Sequence, residues 1–221
     1  MRTQFTNELV ALTADLTQMC RLTHEAAERM TDALVGADLT ATYEVFALDE
    51  RLQTMYGACE ARTVVLLALQ APVARDLRHV VTAIQIAGEL SRIGHLFSQV
   101  ADQVYRSHPE PIAAAPVLDL LGRMSGRTAQ ATARAQGAVT TGRHTVDDDD
   151  GQATMQALNQ KLHATLSATD NATETAIALA LVGYQLSRTL DHTDRIERLI
   201  HFLDTGVPPT AQIVPDDEAT G

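Results

Sequence analysis

Turn-forming residues are sparse in this chain and gather at a few places: Gly36-Ala37-Asp38, Gln70-Ala71-Pro72, the stretch 107–116, the stretch 142–151, Asp170-Asn171, and Gly206 with Pro208-Pro209. The segments left between them number six, each about 20 to 35 residues long, and their apolar residues recur at intervals of three and four. In the first segment the series is Leu9, Leu12, Leu16, Met19, and in the third it is Ile86, Leu90, Ile93, Phe97, Val100, Val104. That period belongs to an amphipathic α-helix and not to a strand, whose side chains alternate every second residue. Pro72 stands where a helix would begin, since a first-turn proline gives up no needed N–H. Gly206 stands where a helix would end in the left-handed conformation.

The proline-rich stretch SHPEPIAAAP, 107–116, divides the six segments into two sets of three, and the two sets share a register. Shifting the sequence by 96 positions lays Leu90-Ser91-Arg92 on Leu186-Ser187-Arg188, Ile86 on Val182, Val100 on Ile196 and Val104 on Ile200. A duplication accounts for this better than chance, because the match falls on the third helix of each set. The expected fold class is all-α, a six-helix bundle made of two tandem three-helix repeats, 1–107 and 116–206, packed along one apolar seam. The last stretch, 207–221, is rich in Pro, Asp and Glu and is expected to be a disordered acidic tail.

Composition narrows the function classes. Of the 221 residues 45% are hydrophobic, ample for a continuous core, and the net charge of -11 argues against nucleic acid, whose nonspecific binding needs clustered cations. Cys20 and Cys59 stand far apart with no CxxC or Cys/His spacing, so neither a disulfide framework nor a zinc site is indicated, and both read as small core residues in a reducing cytoplasm. The longest apolar runs, 64–69 and 176–182, are far too short to span a bilayer, and the N-terminus MRTQFTNELV lacks the apolar run of an export signal. No phosphate-cradling glycine loop, nucleophile elbow or catalytic triad pattern is visible, so the chain reads as a non-enzyme.

The segment 66–78, LALQAPVARDLR with its leading Leu66, resembles the LALQxPVAxDLR motif of the PhoU family. Leu90-Ser91-Arg92-Ile93-Gly94-His95 is similar to that family's LERIGD, and 186–192, LSRTLDH, to its second copy, LERIGDH. The opening Met1-Arg2-Thr3-Gln4-Phe5 and Glu8-Leu9 resemble its MRxxF and EL start. The resemblance spans 1–206. It implies a cytoplasmic regulatory adaptor, usually a homodimer, that negatively regulates phosphate uptake and the phosphate-starvation two-component response. The implied partners are the phosphate transporter ATPase subunit and the sensor histidine kinase, with membrane association only through them.

On the third helix Ser91, His95, Ser98 and Asp102 fall on one face, and on the sixth Ser187, Asp191, Asp194 and Arg198 do the same. In the PhoU family this position carries an acidic pair, E/DxxxD, from each repeat, and stacked carboxylates of that kind collect oxygen-ligated metal ions. Here the pairs are Ser91 with His95 and Ser187 with Asp191, so each repeat has lost a carboxylate. The strip therefore reads first as a solvated helix face. Its second reading is a site for Fe, Zn or another divalent metal, built from His95, Asp102, Asp191 and Asp194 with help from Asp49 and Glu60. Arg195 or Arg198 would repel such a cation.

Other polar groups weigh less. The run 147–150, four aspartates, reads as a solvated turn before a helix rather than a cation site. His24 with Glu25 and Glu28, and Asp76 with His79, place histidines beside acids, but no Glu-x-x-His of a di-iron bundle occurs. Asp76 and Arg78 either cap the third helix or face a partner; Arg92 and Arg188, at equivalent places, either pair within the bundle or anchor an interface. Two further function classes stand beside the adaptor: a metal-binding helical bundle, and a degenerate paralogue acting only as an oligomerising scaffold.

Overall fold

The computed structural model describes residues 2–143, 151–168 and 172–212. They form six α-helices, α1 Arg2–Gly36, α2 Leu39–Gln70, α3 Ala74–Ser107, α4 Ala115–Thr141, α5 Gly151–Ala168 and α6 Thr173–Thr205, with no strand among the described residues. The aspartate run 147–150 lies outside them. The stretch from 207 opens with a 3-10 turn, Pro209–Gln212, lodged against α6, and residues 213–221 lie outside the described set.

The helix ends follow their local chemistry. Asp38 caps α2, its carboxylate accepting from the N–H groups of Thr40 at 2.8 Å and Ala41 at 3.1 Å, which satisfies donors the first turn leaves open. Gly142 and Gly206 close α4 and α6 in the left-handed conformation, at φ 65° and 81°. Pro116 falls in the first turn of α4. Pro72 instead sits one residue ahead of the α3 cap, which is Val73, because Val73 is extended and its carbonyl takes the Asp76 N–H at 3.1 Å. The α2–α3 connector is strained: Ala71 and Ala74, at φ 40° and 47°, occupy a region that costs a residue with a Cβ about 1–2 kcal/mol.

Helices α1, α2 and α3 pack on one another, and so do α4, α5 and α6. Among the described residues the two trios meet through like against like, α1 on α4 and α3 on α6. Each trio is drawn tight by a glycine on its third helix. A Cβ at Gly94 would stand 2.7 Å from Leu52 Cδ1, and one at Gly183 would stand 2.5 Å from Leu162 Cδ2, so a larger residue at either place would push the middle helix away. One apolar core runs through all six helices, including Leu12, Met19, Leu52, Phe97, Leu121, Met124, Leu162 and Leu186. Burying each such side chain stabilises the fold by roughly 1.5–3 kcal/mol. The residues matched by the 96-residue shift, Ile86 with Val182, Leu90 with Leu186, Val100 with Ile196 and Val104 with Ile200, are all buried.

Candidate functional site

The seam between α3 and α6 carries a carboxylate where its apolar stripe leads one to expect a hydrocarbon. Glu89 lies one turn beyond Ile86 and one turn before Ile93, and only 4% of it reaches solvent. An unpaired charge there would be costly, and the seam supplies partners from both helices. His192 Nδ1 of α6 donates to Oε2 at 2.6 Å; a carboxylate only accepts, so that nitrogen carries the proton. Arg92 Nη1 and Arg195 Nε both reach Oε1 at 3.1 Å. Burial is the strongest single influence on the Glu89 carboxyl and acts to raise its pKa. The His192 hydrogen bond and the charges of His192, Arg92 and Arg195 together outweigh it and hold the group below its ordinary value.

The seam has a second polar contact. Gln185 Nε2 of α6 donates to Gln99 Oε1 of α3 at 2.9 Å. Under the 96-residue shift Glu89 corresponds to Gln185, and Arg195 corresponds to Gln99. The two contacts are therefore the same contact made in opposite directions, as a two-fold relation between α3 and α6 requires. One copy is charged and the other is a neutral amide pair.

The strip residues occupy several separate contacts and do not surround one point. Ser91 Oγ donates to Gln53 Oε1 at 2.8 Å, and Gln53 returns its amide to the Ser91 carbonyl at 3.1 Å and to Asp49 at 2.9 Å, which ties α2 to α3. His95 stands 3.6 Å from Asp49. Asp102 pairs with Arg106 at 2.7 Å. In the second trio the Gln152 amide of α5 bridges Asp194 at 2.7 Å and Asp191 at 3.3 Å, while Arg188 pairs with Asp191 at 2.7 Å and Ser187 turns back to the Gly183 carbonyl. Glu60 accepts from Tyr56 of its own helix, at 3.5 Å. Among the described residues no group of three or more His, Cys, Asp or Glu side chains stands close enough to hold a metal ion. These contacts suit a cation poorly, because Asp102, Asp191 and Asp194 each already face a cationic or amide donor.

Arg78 is half-buried against α6: its guanidinium lies 5.7 Å from the centre of the Phe202 ring and covers the left-handed Gly206 at the end of α6. Asp76, in the first turn of α3, stays exposed. His24 bonds Thr132 across the α1–α4 contact at 3.2 Å, Glu25 pairs with Arg21, and His79 meets Thr13 of α1 at 3.2 Å. Burial and then the nearby Arg75 lower the His79 pKa. Both cysteines are buried and free, and burial pushes the Cys20 thiol up to about 12 and the Cys59 thiol up to about 11.

Glu89, His192, Arg92 and Arg195 form a four-residue polar contact across the α3–α6 seam, and sequence reasoning singled out neither Glu89 nor His192. The one available signal was a charged residue interrupting an apolar stripe of helical period, Ile86–Glu89–Ile93.

Fold and seam together define a class: a six-helix bundle in which one trio of helices is used twice. The PhoU domain family model matches residues 16–104. The phosphate-specific transport system accessory protein PhoU homolog 1 of Mycobacterium tuberculosis is 30% identical over 220 residues, spanning 95% of this chain and 97% of that protein. Its PhoU homolog 2 is 43% identical over 110 residues, and over that match the chain spans about half of the relative, 52%. The crystal structure of the phosphate transport system regulatory protein PhoU from Streptococcus pneumoniae superposes with a TM-score of 0.77 at 19% identity, covering 91% of this chain and 97% of that one. The chain belongs to the PhoU family.

Proposed function

We propose that this protein is a cytoplasmic, non-catalytic adaptor that restrains phosphate uptake and the phosphate-starvation response by contacting the transporter ATPase subunit and the sensor histidine kinase, working as a homodimer. The observation that carries this reading is the 30% identity along 95% of the chain to a relative named a phosphate-specific transport system accessory protein. No described helix is long and apolar enough to cross a membrane, so in this reading the membrane is reached through partners.

A surface suited to such contacts surrounds the strained α2–α3 connector, within the motif 66–78. Leu69 and Val73 are 74% and 73% exposed, with Val65 and Leu77 beside them in sequence, and the motif's charged Asp76 is exposed as well. Exposed apolar residues gathered around one loop favour a partner over plain solvation. Arg92 and Arg188 extend their guanidiniums into solvent elsewhere, on the α3–α6 seam.

Tagged chain purified from cells grown in high phosphate is expected to retain both the ATPase subunit and the kinase. Changing Leu69 and Val73 to serine together should lower both recoveries without changing the helical circular dichroism of the chain. Recovery of neither partner with the unchanged chain would contradict the reading.

A further inference from the structure

A cavity of about 360 Å³ opens between α3 and α6 directly over Glu89. It lies at the small end of ligand pockets, which run roughly 300–1,000 Å³. Its walls carry Arg92, Arg188, Arg195, Arg198 and His192, against two carboxylates, Glu89 and Asp191. The sign is unexpected in a chain whose net charge is -11. Among the described residues, the guanidiniums of Arg92, Arg188 and Arg195 over two carboxylates make the lining positive.

The two carboxylates position the arginines and leave them donors to spare. Glu89 has 5% of its side chain exposed and both its oxygens are engaged from α3 and α6, so it is far less open to solvent than the arginines around it. Arg92 donates Nη1 to it, Arg195 Nε stands 3.1 Å from it as an ion pair, and Arg188 donates Nη1 to Asp191. Each guanidinium has five N–H donors in a planar fork, so most donors on all three remain for a ligand. Their side chains are 61%, 56% and 43% exposed for Arg92, Arg195 and Arg188. Forks converging from two helices match a group with several charged oxygens, which a single-atom anion such as chloride cannot engage bidentately.

We propose that the cavity framed by Arg92, Arg188 and Arg195 is an oxyanion site that takes a doubly charged tetrahedral phosphate group, either the free ion or a monoester. Glu89 and His192 act there as positioning residues, holding the Arg92 and Arg195 heads at the wall without touching the ligand. The inference does not rest on the adaptor reading, since the site is complete within one chain and needs no transporter or kinase.

Calorimetric titration of the purified full chain at low salt, in phosphate-free buffer at neutral pH, tests it with inorganic phosphate and with phenyl phosphate. Saturable one-to-one binding of at least one of them is expected. Tighter binding of inorganic phosphate assigns the site to the free ion, and tighter binding of phenyl phosphate assigns it to a phosphate carried on a larger molecule. Arg188→Gln removes a solvent-facing fork and should weaken binding at least about ten-fold, roughly 1.4 kcal/mol. Arg21→Gln, on α1 and paired with Gln18 and Glu25, should leave it unchanged. If Arg188→Gln loses its helical circular dichroism, Arg195→Lys keeps the charge, removes the fork and should weaken binding in its place. No saturable heat with either compound up to roughly 10 mM, or equal losses in Arg188→Gln and Arg21→Gln, would overturn the proposal.

Discussion

The two polar contacts of the α3–α6 seam occupy equivalent places and are built from different chemistry. At one, the Glu89 carboxylate is enclosed by His192, Arg195 and Arg92; at the other, Gln185 and Gln99 share a single amide hydrogen bond. The Gln185 carbonyl oxygen is buried and makes no hydrogen bond. A duplicated trio of helices forces reciprocal contacts at its two-fold seam, but side chains at the two places are free to diverge. Of the two places, the charged one holds arginines at the wall of an open cavity, so equivalent positions on a symmetric scaffold come to differ in function.

The largest consequence concerns stability. Removing Glu89 leaves His192 and two arginines facing an empty position, so Glu89→Ala should lower the unfolding free energy in urea by about 3 kcal/mol. The reciprocal Gln185→Ala gives up one neutral hydrogen bond and should cost about 1 kcal/mol. Equal losses at the two positions would remove the distinction drawn between them.

The distinction should also depend on pH. The folded-state pKa of Glu89 is depressed below its ordinary 4.5, so its contribution is complete above the unfolded value and is lost as pH falls through the folded one. The stability difference between the native chain and Glu89→Gln should therefore hold from neutral pH down to about 4.5 and shrink below it, while the difference for Gln185→Ala stays flat. Thermal melts across that range check both curves.

Within the charged place the three partners of Glu89 are not equivalent. His192 is largely buried and makes the shortest bond, so His192→Ala should cost about 2 kcal/mol. Arg92 is 61% exposed and screened by water, so Arg92→Gln should cost less than about 1 kcal/mol. Reversal of that order would mean that solvent-facing charge, and not burial, organises the seam.

Much of the fold was legible in the sequence and much of this place was not, for one physical reason. Helix breaks are local: Asp38, Gly142, Gly206 and the proline-rich stretch before α4 act within a few residues, so the six helices could be read from punctuation and period. The 96-residue register could be read too, since Leu90 and Leu186 repeat the same apolar spacing. Glu89 meets His192 across 103 residues, and nothing local to either announces the other. The strip of Ser91, His95, Asp191 and Asp194 was visible as a face, but its amide clasps from Gln53 and Gln152 depend on the middle helix of each trio. The strain at Ala71 and Ala74 was hidden as well, since alanine gives no sign of a left-handed backbone.

If α3 and α6 meet as two copies of one element, the neutral contact can be rebuilt as the charged one. Urea unfolding of Gln185→Glu alone, and of Gln185→Glu together with Gln99→Arg, measures this directly. The single change should destabilise the chain by about 2 kcal/mol, because the carboxylate is placed in the seam without a cation, and the added arginine should return at least about half of that. A double variant no more stable than Gln185→Glu alone would show that the two places do not share one geometry.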